Sequence, residues 1–64
     1  MNLITLFLSR GVWIARWSGP HAAKVVDAFG ICDIPTPFTD EAPAGRVAEV
    51  IAARNPGVTI EVRP

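Results

Sequence analysis

The sequence is poor in chemistry-bearing residues: it has one cysteine, one histidine, no tyrosine and no surplus of charge of either sign in 64 residues. Each scarcity excludes something. With Cys32 alone, no disulfide can close within the chain. Zinc sites draw on about three or four clustered ligands, and His21 and Cys32 stand single. Six basic residues are balanced by six acidic ones, so the chain lacks the positive field on which polybasic nucleic-acid and membrane-surface proteins rely. Long hydrophobic runs are missing too. The run Leu3–Leu8 falls far short of the roughly 20 residues a membrane helix needs. Only Asn2 lies between Met1 and that run, and Arg10 follows it closely, which is not the layout of a signal peptide. A reducing, cytoplasmic setting is expected, and it suits a lone thiol.

What the sequence does have is apolar mass. Half of it is hydrophobic, gathered at Leu3–Leu8, Val12–Trp17, Val25–Ile34, Val47–Ile51 and Val58–Val62. That composition argues against disorder. A domain this short buries only about 60% of its unfolded surface. Without a disulfide or a metal, stability has to come from a rich core or from association.

Leu3–Leu8 and Val12–Trp17 read as two strands of a hairpin. Ser9, Arg10 and Gly11 between them suit a three-residue turn with Gly11 left-handed; a four-residue loop is the main competitor. Pro20 is favoured at the first position of a helix, after Ser18 or Gly19 as N-cap. Ala22, Val25, Val26 and Phe29 share a face, Gly30 ends the helix, and Ile31 is placed to pack back on it. The stretch "CDIPTPFTDEAP" reads as a connector that Ile34 and Phe38 pin to the core, because Pro35 and Pro37 remove backbone donors. A second helix begins near Thr39 or Asp40, with Asp40 and Glu41 placed against its dipole. Its stripe is Val47, Val50, Ile51 and Arg54, extended by Ala44 and Ala48, and Asn55-Pro56-Gly57 stops it. Val58, Ile60 and Val62 alternate with polar residues as a half-buried strand. The fold class is thus α+β in a single domain, residues 1–64. Its order is β-β-α-α-β: a three-stranded sheet with an N-terminal hairpin and two helices packed mainly on one face. The last strand is expected beside the first, in an orientation the sequence leaves open.

A three-residue turn pairs Leu8 with Val12, Leu6 with Ile14 and Ile4 with Arg16. One hairpin face is then Ile4, Leu6, Leu8, Val12 and Ile14; the other is Leu3, Thr5, Phe7, Trp13, Ala15 and Trp17. Both are apolar, whereas a half-buried strand shows one polar face. Two short helices cover one face, so the set Ile4, Leu6, Leu8, Val12 and Ile14 is the candidate interface, since large exposed apolar patches are rare on monomers.

The chemistry-bearing residues form no constellation. No catalytic, cofactor-binding or metal-binding residues are assigned. His21 and Cys32 are separated by a helix, and Asp27, Asp33, Asp40 and Glu41 have local explanations as turn and helix-start residues. Gly45, inside the second helix, is expected to allow close packing. Arg16 beside Trp13 and Trp17 is a weak match to basic-aromatic platforms for single strands. The expected function is a small, non-enzymatic, cytoplasmic protein-interaction module. It would self-associate as a homodimer, or hold a small protein partner, through the second face of the hairpin. It needs no cofactor, membrane or small-molecule substrate, and nucleic acid is disfavoured. The alternative is a nucleic-acid-linked regulator or antitoxin-like binding protein. A hairpin followed by a helix resembles the opening of HicB-type antitoxins, which bind a small toxin; no motif of that family is matched residue by residue, so the resemblance implies nothing about individual residues.

Overall fold

The computed structural model describes residues 1–63. Among them the chain forms β1 (Leu3–Ser9), β2 (Val12–Ser18), α1 (Ala22–Phe29), β3 (Asp33–Thr39), α2 (Ala44–Arg54) and β4 (Thr59–Val62). The four strands make one mixed sheet in the order β3-β2-β1-β4. Both neighbours of β2 run antiparallel to it, and β4 runs parallel to β1. The fold is α+β with an opening hairpin and two helices, and β1 sits inside the sheet beside the last strand, as expected. The sheet has four strands rather than three.

The extra strand is the expected connector. Pro35 and Pro37 do not prevent it, because β3 lies at the sheet's edge. The Trp17 N–H donates to the Cys32 carbonyl at 3.0 Å, and the Asp40 N–H donates to the Gly11 carbonyl at 2.9 Å. Even-numbered residues of β3 therefore turn their backbone groups toward β2. Pro35 and Pro37 turn theirs outward, where a missing donor costs no ladder bond. The ladder is irregular between Ile14 and Val12. Here the Thr36 hydroxyl donates to the Trp13 carbonyl (2.8 Å) and accepts the Phe38 N–H (3.2 Å). The hydroxyl thus joins the two strands where the ladder is interrupted.

The hairpin turn has two residues, not three. Arg10 and Gly11 have φ of 53° and 76°, the double left-handed arrangement whose twist matches that of the strands. Ser9 now faces Val12, Leu8 faces Trp13 and Leu6 faces Ala15. A change of one residue in the turn regroups the side chains across the pair. Ile4, Leu6 and Leu8 share a face with Trp13, Ala15 and Trp17. Leu3, Thr5 and Phe7 share the other with Val12, Ile14 and Arg16.

The first of these faces carries the core. Ile4, Leu6, Trp13, Ala15 and Val47 form one buried cluster, with Ala44, Ala48 and Ile51 of α2 packed against it. The Trp13 indole N–H donates to the Ala42 carbonyl at 3.1 Å, tying β2 to the turn before α2. Helix α2 is the helix that packs on this cluster; α1 contributes no residue to it, and Val25 is its one buried residue.

Both helices start later than expected. His21 is the N-cap of α1 and Pro43 that of α2, and neither cap has a side-chain hydrogen bond. The His21 N–H instead donates to Asn2 Oδ1 at 2.8 Å, joining the start of α1 to the start of β1. Gly19 lies against the Met1 carbonyl oxygen, which any Cβ would strike. Thr39 ends β3, and Asp40 and Glu41 fall in the turn before Pro43, so no acidic residue lies in the first turn of α2. A Cβ on Gly45 would meet nothing within 4 Å, so this glycine does not serve close packing. Gly30 and Asn55 end the two helices where expected.

Candidate functional site

The expected interface does not exist as one surface. Ile4 and Leu6 are fully buried in the core. Leu8 lies on the same face but is about half exposed, at 47%. Val12 and Ile14 are half-buried on the opposite face. The two-residue turn is the reason, because it exchanges the β1 partners of every β2 residue.

The opposite face is not simply apolar either. The Arg16 guanidinium makes a two-pronged ion pair with Asp33, Nε to Oδ1 at 2.8 Å and NH2 to Oδ2 at 2.9 Å. The same group lies 4.8 Å from the centre of the Phe7 ring, and Arg63 lies 6.0 Å from it. Three strands are thereby linked across this face: β1 through Phe7, β2 through Arg16 and β3 through Asp33. Long arginine stems shield apolar surface while their heads stay wet. Arg16 holds the Asp33 carboxyl below its ordinary range, chiefly through their hydrogen bonds, and Asp33 in turn raises the Arg16 guanidinium. Trp13 and Trp17 point to the other side of the sheet from Arg16, so no basic-aromatic platform forms from those three residues.

His21 and Cys32 have separate surroundings. The His21 ring lies against Trp17 with centroids 4.9 Å apart. The Cys32 thiol approaches Asp33 Oδ1 at 3.9 Å. Among the described residues no group of three or more His, Cys, Asp or Glu side chains is placed to hold a metal ion.

Two features remain in which apolar surface meets solvent. The first is a groove of about 170 Å3 on the core side of the sheet, beside the β3 edge. Its floor is Ile4, Ala15 and Trp17. Ile34 lines it from β3 and Ile51 from α2; Asn55 lies at the α2 end and Pro37 on β3. Asn55 adds little free polarity, since its side-chain amide already donates to the Ile51 carbonyl at 2.9 Å. The second feature is the outer side of α1. Val26 is 41% exposed, Phe29 68% and Ile31 54%. Ile31 therefore does not fold back on the helix as expected. Sequence periodicity marks α1 as amphipathic, and its adjacent valines with Phe29 make an apolar stripe too broad for one line of burial. It carries no signal of whether a neighbouring element exists to cover that stripe.

No helix among the described residues is long and apolar enough to cross a membrane. No protein-family model, curated protein or solved structure matches the chain.

Proposed function

We propose that this chain is a small, non-enzymatic protein-interaction module that self-associates, using the apolar side of α1 rather than the back of the hairpin. The observation that carries this reading is the run of Val26, Phe29 and Ile31 in solvent. Fully exposed side chains of this size offer roughly 150–250 Å2 at the aromatic end, so the three leave on the order of 300 Å2 of apolar surface wet. An apolar patch of a few hundred Å2 is often functional. Net neutrality leaves a second copy free to approach without mutual repulsion. Sedimentation velocity from micromolar to millimolar chain tests the reading. The expected result is a weight-average mass rising from one chain toward two. A single-chain mass across the whole range would overturn it.

A further inference from the structure

We infer that residues 19–32, the excursion that carries α1, open and close as a unit while the four-stranded sheet stays folded. The bond after Lys24 is then the place where the native protein admits a protease. Opening needs no second copy and stands whether or not the chain self-associates.

The excursion leaves and rejoins the sheet at one point. β2 and β3 are antiparallel neighbours, and α1 lies between them in the chain. At its base Arg16 and Asp33 stand opposite each other in the ladder, joined by their ion pair, and the Trp17 N–H donates to the Cys32 carbonyl. The two ends are held together whether or not α1 is folded, so opening breaks no pairing between strands.

Inside that closure α1 has little to hold it. Its eight residues are fewer than the roughly 12–15 a helix needs to persist unaided. Lys24 falls in its first turn and Asp27 in its last, each at the end of the helix dipole that repels its charge. The attachments are few: the burial of Val25, the His21 N–H on Asn2 Oδ1, and the His21 ring on Trp17. The Gly30 N–H on the Val26 carbonyl (2.7 Å) closes the helix end and is lost with the helix. β1 and β2, in contrast, hold Ile4, Leu6, Trp13 and Ala15 of the core. Segments with few buried contacts open at small cost, and core strands open only with the whole fold. α1 is of the first kind, β1 and β2 of the second.

Lys24 turns opening into a cut. It is the only lysine of the chain, it is exposed, and a protease acts on the opened segment rather than on the folded helix. A lysine-specific endoprotease therefore reads α1 alone. At low-micromolar chain, where association leaves single copies, native protein should be cut after Lys24. The rate should stay nearly flat in urea until the sheet itself unfolds, because a small opening exposes little surface. Amide exchange should show α1 about a hundredfold or more less protected than β1 and β2. Asn2→Ala removes the acceptor of the His21 N–H and should speed cutting about fivefold, the worth of one hydrogen bond. Thr36→Val weakens the sheet, and the closed and open forms share that loss equally. It should speed exchange in β1 and β2 and leave cutting unchanged. A native chain that is not cut, cutting that rises with urea as steeply as global unfolding, α1 amides that exchange together with those of β1 and β2, or faster cutting of Thr36→Val would each overturn the separate opening of α1.

Discussion

Thr36 bridges a gap in the sheet. The strand pairing slips at this point, yet the Trp13 carbonyl and the Phe38 N–H both find the Thr36 hydroxyl. Thr36→Val keeps the side-chain shape and removes both bonds. Two hydrogen bonds to part-buried backbone groups are worth about 1–2 kcal/mol together. The melting temperature should fall by several degrees, at roughly 4–8 °C per kcal/mol for a domain of this size. Thr36→Ser should hold most of the wild-type value, and a Val variant with unchanged melting would show that the hydroxyl is not needed. Trp13 makes a comparable link with its ring, whose N–H reaches the Ala42 carbonyl.

At the scale of elements, the hairpin turn is where one residue decides the most. Arg10 sits at φ 53°, a left-handed conformation that costs an ordinary residue on the order of 1–2 kcal/mol. Asn-Gly is the preferred pair for such a turn. Arg10→Asn should therefore stabilise the domain by about 1 kcal/mol, read as a higher urea midpoint with an unchanged slope. The same turn marks the boundary of what the sequence makes legible. Gly11, Gly30 and Asn55-Pro56-Gly57 announce where strands and helices stop, and the elements they bound are present. Register is another matter: "SRGV" accommodates a two- or a three-residue turn, and an arginine gives no warning of positive φ. β3 was hidden because two prolines within seven residues argue for a connector unless the strand is known to lie at an edge, which is a fact of topology. The surface of α1 was hidden for a related reason. An apolar stripe reports a need for cover, and only the arrangement of the other elements shows whether the need is met.

Across the whole molecule, the sheet's two faces are finished by different means. One is covered by α2, the other by charged side chains laid over Phe7. The second device is sensitive to acid. Asp33's folded pKa is lowered by Arg16, so its contribution to stability is complete above the ordinary carboxylate range near pH 4 and is lost as pH falls through the lowered value. Both side chains are about 40% exposed (41% and 39%), so the effect is modest and weakens with salt. Denaturant unfolding at neutral and strongly acid pH should show a steeper loss of stability for wild type than for Asp33→Asn. Equal losses would mean the pair does not feel folding. The edges of the sheet differ as well, and this bears on fibres. A growing cross-β stack needs every chain to hydrogen-bond on two sides. Here β4 offers backbone groups outward, while Pro35 and Pro37 leave β3 with a broken row of donors. A misassembling chain of this fold can terminate a β-stack but is poorly built to lengthen one.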